Sequence, residues 1–288
     1  MRRPIVSGRT RFTDLVGCAV PLQLAAMGGI GSTELAAAVV AAGGMGMVPN
    51  RVEPAAGPCG VGFLVPFEPP LEEVTEQATR SRAIEFFFGD PRPDLVRAAH
   101  AGGALAGWQV GSTAEAVAAV ACGCDYVVVQ GIEAGGHVRG TQPLEEVLAA
   151  ARAVVRVPLV AAGGVTTARR FAEVMDQGAD AVRVGTRFVT CPESAAHPEY
   201  VRRLLAASGA DTVVTDWFNA GWPDAPHRVL RSSLEAAQRS GWRATTPPQR
   251  DTDRAIEDMA LYAGTGVGDI HASETAAAVV ADLLSEWS

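Results

Sequence analysis

The segment from Val157 to Val184 reads VPLVAAGGVTTARRFAEVMDQGADAVRV, and it decides the fold class. Its two ends, 157–162 and 180–184, are short runs rich in β-branched residues, and a glycine pair leads into the helical pattern between them. A strand, a helix and a second strand in this order form a unit in which the two strands lie parallel in one sheet. The segment therefore predicts an α/β protein with a parallel sheet.

The same alternation runs through the first two thirds of the chain and predicts eight strands, the number that closes a TIM (β/α)8 barrel. The strands are expected at 20–26, 44–48, 61–65, 83–88, 104–109, 125–129, 157–162 and 180–184. Serines at 32 and 112, each followed by a glutamate, indicate helix starts. The stretch 49–60, PNRVEPAAGPCG, is too rich in proline and glycine for a helix, so one barrel helix is expected to be missing.

After Pro192 the alternation stops, which predicts a small, mainly helical insertion near the C-terminus. Two stretches in it have helical patterns, HPEYVRRLLAASG and RVLRSSLEAAQRSG. We therefore divide the chain into a barrel at 1–198, a helical insertion at 199–262 that covers the substrate, and a C-terminal segment at 263–288. The last segment has the apolar periodicity to pack back on the barrel.

Composition excludes several classes of function. The formal net charge is −8 and basic residues are not clustered, so a surface for nucleic acid is not expected. The N-terminus lacks the apolar region of a secretory signal, and no uncharged run of about 18 residues could span a membrane. Five scattered cysteines indicate reduced thiols and a cytoplasmic protein. Serine-nucleophile, zinc and Walker patterns are absent, and no metal is expected.

Two glycine-rich turns indicate a phosphate site. Ligands of a TIM barrel bind at the carboxyl ends of the strands, and phosphate is usually held by the loops after strands seven and eight. Those loops contain Gly163-Gly164 and Gly185-Thr186, and both lead toward helix N-termini. One glycine pair alone more often marks only a tight turn. Two glycine-containing turns on the two strands that this fold uses for phosphate favour a phosphorylated cofactor or substrate.

The loop QGIEAGGH, 130–137, leaves strand six and faces the same mouth. Its glycines would let the backbone approach a planar ring, and His137 is the candidate base, because an imidazole suits proton abstraction near neutral pH. The alternative is a histidine that only caps a turn. We expect Glu133 to bind backbone N–H groups and hold the loop's shape. The other histidines are weaker candidates and are expected to be surface or capping residues: His100, His197, His227 and His271.

These motifs together resemble the nitronate monooxygenase family, formerly called 2-nitropropane dioxygenases. The resemblance rests on QGIEAGGH, on the segment from Val157 to Phe188, on PLQLAAMGGIGSTELAAAVVAAGGMG near the N-terminus and on the late YAGTGVGDI. It covers roughly 18–195 and 260–285.

The resemblance implies a TIM barrel that binds FMN without a covalent bond. It implies phosphate loops at Gly163, Gly164, Gly185 and Thr186, and His137 as the catalytic base. Backbone at Ala26, Met27 and Gly28 would lie along the flavin ring, with Gln130 and Gly135 in the same site. The implied reaction takes a small nitronate or nitroalkane and oxygen to a carbonyl compound with nitrite or nitrate. A homodimer is left open.

Three features depart from the family's pattern and bear on the substrate: the residue at position 62, the missing helix after strand two and the insertion, of which the last two shift how the pocket is covered. The third strand carries Gly62 where the family usually has an asparagine that touches the flavin. The insertion contains Trp217, Phe218 and Trp222, which would form either a lid over the substrate or a small core. Three alternatives therefore remain: an FMN- and NAD(P)H-dependent enoyl-thioester reductase, a non-catalytic flavin-binding protein, and a phosphosugar-type barrel enzyme without flavin.

Overall fold

A computed structural model describes residues 8–287. Residues 1–7 and Ser288 lie outside the described part. The first seven residues of the predicted barrel range 1–198 are therefore not described. The same holds for the start of the N-terminal segment that was expected to form no secretory signal.

Eight parallel strands form the barrel, and each of them overlaps a predicted strand. They are β1 (Leu22–Leu24), β2 (Gly46–Pro49), β3 (Cys59–Leu64), β4 (Ala83–Phe87), β5 (Leu105–Val110), β6 (Tyr126–Gln130), β8 (Leu159–Ala162) and β9 (Ala181–Val184). A two-residue strand, β7 (Gly136–His137), lies in the loop between β6 and β8. The barrel order is β1-β9-β8-β6-β5-β4-β3-β2. A parallel bridge between Gln23 and Met45 joins β1 to the start of β2 and closes the ring.

Helices cover the outside of the barrel. They are α1 (Arg11–Val16), α2 (Thr33–Ala41), α3 (Leu71–Ala78), α4 (Pro93–Ala101), α5 (Thr113–Ala121), α6 (Leu144–Val154), α7 (Ala168–Asp176) and α8 (Thr186–Val189). The side chains of Ser32 and Ser112 cap α2 and α5 by accepting from N–H groups three residues on, as predicted. No helix follows β2, which confirms the prediction from the Pro- and Gly-rich stretch.

The region 199–262 has more strand than its sequence pattern predicts. It contains α9 (Pro198–Leu205), β10 (Thr212–Thr215), β11 (His227–Leu230) and α10 (Arg231–Ser240). The stretch RVLRSSLEAAQRSG was expected to be helical throughout, yet its first three residues belong to β11. They are held there because β11 pairs antiparallel with both β10 and β7, and tertiary pairing overrides local propensity. The division at 199 and 262 stays a prediction.

The C-terminal segment returns to the barrel through α11 (Ala276–Leu283), which packs against α2 and α7. Arg187 ties the two parts together, because its guanidinium donates to Asp282 at 2.7 Å and to Glu274 at 3.1 Å. No helix within residues 8–287 is long and apolar enough to cross a membrane. The five cysteines are free thiols, and burial raises the pKa of Cys59 to about 11.

A polar network fills the barrel interior beneath its carboxyl end. Arg183 on β9 pairs with Glu85 on β4, and both are less than a tenth exposed. The guanidinium also donates to Gln23 and Gln109, and the Tyr126 hydroxyl donates to Glu85 at 3.2 Å. Buried charges of this kind are tolerated only when they are paired and hydrogen-bonded. The network therefore fixes the relative positions of strands on opposite sides of the barrel.

We predict that Arg183→Met lowers the free energy of unfolding by about 3–5 kcal/mol, because it leaves Glu85 as an uncompensated buried charge. Urea denaturation followed by circular dichroism measures the loss. The double variant Arg183→Met/Glu85→Gln removes both charges and is expected to regain at least half of the stability. If the free energy of unfolding of Arg183→Met lay within about 0.5 kcal/mol of the parent protein's value, the network would not have the stabilising role given to it here.

Candidate active site

A cavity of about 590 Å³ opens at the carboxyl ends of the barrel strands. All ten residues singled out from the sequence line it: Ala26, Met27, Gly28, Gln130, Gly135, His137, Gly163, Gly164, Gly185 and Thr186. The fold brings them together because the carboxyl ends of parallel strands meet at one edge of the barrel. Glu85, Gln109 and Arg183 also line the cavity. The cavity therefore has a charged, hydrogen-bonded side that the sequence motifs did not indicate.

The two glycine-rich turns lie side by side in this cavity. Gly163 and Gly164 have φ angles of +130° and +67°, which side chains rarely adopt. Their N–H groups donate to no other residue in the described part of the chain. Gly185 is the N-cap of the short helix α8, whereas Gly164 lies three positions before Thr167, the N-cap of α7. Unpaired backbone N–H groups at such turns are suited to an anion.

The loop that carries His137 is held by hydrogen bonds from several elements. Gln130 donates from Nε2 to the carbonyl of His137 at 2.9 Å and accepts at Oε1 from the N–H of Arg139 at 3.1 Å. Strand β7 pairs with β11, so that His137 lies opposite His227. Arg228 on β11 donates to the Ile132 carbonyl at 2.7 Å. Both groups of the Gln130 amide are therefore used to hold the histidine's backbone.

Glu133 acts as expected from the sequence. Its carboxylate accepts from the N–H of Leu144, at 3.1 Å and 3.3 Å from its two oxygens, and so binds the first residue of α6. Glycine was expected at positions 131 and 135 to let the backbone approach a planar ring, but the structure gives another reason. A Cβ at Gly131 would lie 2.3 Å from the Glu133 carboxylate, and one at Gly135 would lie 2.4 Å from the N–H of Gly264. These glycines are needed because parts of the chain itself approach closely.

Aromatic rings surround the His137 imidazole. Trp222 stacks on it with ring centroids 3.8 Å apart, and the ring centroid of His227 lies at 5.2 Å. Tyr262 and Phe88 complete the enclosure at 5.6 Å and 6.0 Å. The Nε2 atom of His137 is buried without a hydrogen-bond partner, and Nδ1 makes no hydrogen bond to any described residue.

The pKa of His137 is lowered from 6.5 to about 3. The main cause is loss of solvation on burial, and the neighbouring His227 adds to it. The imidazole is therefore neutral at neutral pH and able to accept a proton. Its conjugate acid is poorly stabilised unless another group receives a hydrogen bond from it.

The structure divides the three aromatic residues of the insertion between the two roles considered for them, a small core and a cover over the cavity. Phe218 is fully buried and packs with Val229, Ala237 and Ala260, and Trp217 lies beside this small core. Trp222 instead lines the cavity.

His227 was expected to be a surface or capping residue, but it is fully buried beside His137. That expectation was wrong because the pairing of β11 with β7 is a tertiary contact that no local pattern reveals. His197 does cap a helix, by accepting from the N–H of Glu199 at 3.1 Å.

The structure gives a steric reason for glycine at position 62, where the family usually has an asparagine. A Cβ at this position would lie 2.8 Å from the Cβ of Ala26, so the segment that follows β1 occupies the space that a side chain on β3 would need. Asn50 follows β2, bonds through its N–H to the Gly62 carbonyl at 3.1 Å, and lines the cavity. An amide side chain is thus present at this edge of the cavity, on a neighbouring strand.

Comparison with known proteins now identifies the family. A sequence model described as nitronate monooxygenase matches residues 65–286. The chain belongs to the nitronate monooxygenase family. A nitronate monooxygenase of Pseudomonas aeruginosa is 32% identical over 269 residues, covering 71% of this chain and 76% of the relative. A Mycobacterium tuberculosis protein named (3aS,4S,5R,7aS)-5-hydroxy-7a-methyl-1-oxo-octahydro-1H-indene-4-carboxyl-CoA dehydrogenase is 31% identical, with 82% of this chain and 70% of the relative covered.

Solved structures agree with the family and the fold. FabK from Thermotoga maritima has a TM-score of 0.82 and 26% identity, with 97% of this chain and 96% of that chain covered. A nitroalkane oxidase from Streptomyces ansochromogenes has a TM-score of 0.76 and 26% identity, with 96% and 97% covered. The protein is a flavin-dependent oxidoreductase with a TIM-barrel fold, and the resemblance stated from its motifs is confirmed.

We predict that burial of neutral His137 makes stability fall as pH is lowered from about 6.5. The folded-state pKa lies below the unfolded one, so below pH 6.5 the unfolded chain binds the proton first. Stability is then lost by up to about 1.4 kcal/mol per pH unit toward the folded pKa. Urea unfolding of the parent protein and of His137→Phe, measured between pH 7 and pH 4, checks this. The variant should lose less stability over that interval; an equal loss in both proteins would contradict the burial argument.

Proposed function

We propose that this protein binds FMN in the cavity and uses it to oxidise small alkyl nitronates or nitroalkanes with oxygen, giving a carbonyl compound and nitrite or nitrate. The observation that carries the proposal is the position of His137. A neutral imidazole with an unpartnered ring nitrogen lies beside a cavity whose loops suit a phosphate. Family membership supports flavin chemistry at this place.

The cavity residues fit FMN. The unpaired N–H groups of Gly163 and Gly164, with Gly185 and Thr186 beside them, would bind the phosphate. Backbone at Ala26–Gly28 would lie along the ring, while the polar side made by Glu85, Gln109 and Arg183 would suit the hydrogen-bonding edge of the ring. When bound, FMN supplies the electron acceptor and the site at which oxygen takes the electrons back.

The side of the cavity near His137 suits the alkyl part of a small substrate. Trp222, Phe87, Phe67 and Leu64 line it, and Trp222 packs edge-on against Phe67 and Phe88. We propose that the insertion 199–262 covers the substrate chiefly through Trp222 and Tyr200. Such a cover would keep bulk water from the reacting carbon.

His137 would act on neutral nitroalkanes and not on nitronates. The proton on the carbon next to the nitro group moves to an imidazole nitrogen, and the electron pair left on that carbon delocalises into the nitro group, which forms the nitronate. A preformed nitronate has already lost this proton. The base is therefore needed for only one of the two substrates.

A reductase is the second candidate, and a specific observation favours it: a relative that is 31% identical over 82% of this chain is named a dehydrogenase of a carboxyl-CoA substrate. A reductase of the kind considered from the sequence would use NAD(P)H and an acyl thioester. The net charge of −8 does not favour an acidic carrier protein as partner.

FMN is expected to bind the apoprotein at least about ten-fold more tightly than riboflavin, because the backbone N–H groups at the two glycine turns contribute only when a phosphate is present. Quenching of flavin fluorescence during titration gives both dissociation constants. Equal constants would show that the turns hold no phosphate, and binding of neither compound would remove the flavin proposal altogether.

His137→Ala is expected to lower kcat/KM for a neutral nitroalkane by about 10²–10⁴-fold, the usual contribution of a general base. The constant for the preformed nitronate should change by less than about ten-fold. Oxygen uptake with nitroethane and with its nitronate measures the two values. Equal losses on both substrates would rule out His137 as the base.

A further inference from the structure

His227 lies where it can act on His137. It is the first residue of β11, and antiparallel pairing places it opposite His137 on β7. Directly opposed residues of an antiparallel pair project to the same face of the sheet. The two ring centroids are 5.2 Å apart, and the His227 side chain is fully buried.

The hydrogen bonds of His227 fix its tautomer. Its Nδ1 lies 2.8 Å from the carbonyl oxygen of Ala225. A carbonyl oxygen can only accept, so Nδ1 carries the hydrogen and Nε2 of His227 presents a lone pair. This Nε2 is buried and has no partner, and the same is true of Nε2 of His137.

Two neighbouring buried nitrogens without partners are costly. A buried polar atom without a partner is destabilising, so an arrangement that satisfies both atoms at once is favoured. A centroid separation of 5.2 Å permits a nitrogen–nitrogen distance of about 3 Å when the two atoms point at each other. The rings as they stand do not form this bond, so it requires either that one ring turns until the two nitrogens face each other or that one water bridges them.

We propose that His227 is a positioning residue for His137: its Nε2 lone pair accepts the Nε2–H of His137, directly or through one water, so that Nδ1 of His137 presents the lone pair that takes the substrate proton. This inference rests on the proposed function for its kinetic consequence. The hydrogen bond between the two histidines does not depend on it.

The proton balance is simple. The substrate proton passes to Nδ1 of His137, which becomes an imidazolium, and its Nε2–H then donates to the His227 lone pair. The positive charge is shared by two rings, and the proton returns to solvent after product leaves. A neutral His227 can stabilise the His137 imidazolium in this way, which burial alone would not; a protonated His227 would instead lower the pKa of His137.

Few other ionisable groups face His227. Tyr262 lies with its ring centroid 5.8 Å away, but its hydroxyl donates to the Thr245 carbonyl at 2.6 Å. Burial lowers the pKa of His227, against which the hydrogen bond to Ala225 and then the charge of Asp216, from the segment between β10 and β11, raise it. Phe218 packs at 5.8 Å and is not ionisable. His137 is thus the group that the His227 lone pair can serve.

Nitrogen-15 NMR of histidine-labelled protein tests the hydrogen bond without any substrate. The parent protein should show His137 protonated at Nε2, with a strongly downfield Nε2–H proton, and that signal should be lost in His227→Phe. Signals are assigned with His137→Asn and His227→Phe. Protonation of His137 at Nδ1, or a His137 spectrum unchanged in His227→Phe, would overturn the proposal.

Kinetics then test the consequence. His227→Phe should lower kcat/KM for nitroethane at least about ten-fold, while the nitronate value stays within about two-fold. His227→Gln keeps an oxygen that accepts from His137 but cannot take the proton, so it should recover part of the loss. Phe218→Leu disturbs the same packing without removing a ring nitrogen, and the ratio of the two substrates should not change in it.

The outcomes separate the two proposals. Equal losses on both substrates in His227→Phe, or the same change in Phe218→Leu, would overturn the role of His227 in the proton step. If the parent protein oxidises neither substrate, the proposed function fails, while the NMR result still decides whether the two histidines are hydrogen-bonded.

Discussion

The side chain of Gln130 connects the barrel to the candidate base, and the site depends on this connection. Gln130 is the last residue of β6, so the barrel fixes its position, and its amide binds the backbone on both sides of Val138. The strand that includes His137 is then placed to pair with β11 of the insertion. One amide therefore fixes the backbone of His137 relative to the cavity and places β7 where it pairs with β11.

Burial has two different effects in this site. In the barrel interior it is offset by pairing, because Arg183 and Glu85 are each other's partner and neutral amides complete the network. At the mouth it keeps His137 neutral, because no carboxylate contacts the imidazole within the described residues. A neutral imidazole at the mouth of the cavity is what the proposed proton removal requires of His137.

The fold could be predicted from the sequence because the signals are local and repeated. Each barrel strand is a short apolar run, and the helix caps at Ser32 and Ser112 are formed by neighbouring residues. The residues that line the cavity could also be predicted from the sequence, because TIM-barrel geometry brings the carboxyl ends of all strands, and the motifs that follow them, to one mouth. What could not be predicted depends on contacts between distant segments. The pairing of His227 with His137, the stacking of Trp222 and the cross-barrel pair of Arg183 with Glu85 leave no pattern in the sequence near either partner.

The central claim is that a nitronate, and not a nicotinamide, is the electron donor to the flavin in this cavity. The visible spectrum of the FMN-loaded protein, recorded without oxygen during separate titrations with ethyl nitronate, NADH and NADPH, tests it directly. We expect the nitronate to bleach the absorbance of oxidised flavin and neither nicotinamide to do so. Bleaching by NADH or NADPH with no response to the nitronate would contradict this claim and would identify the protein as a reductase.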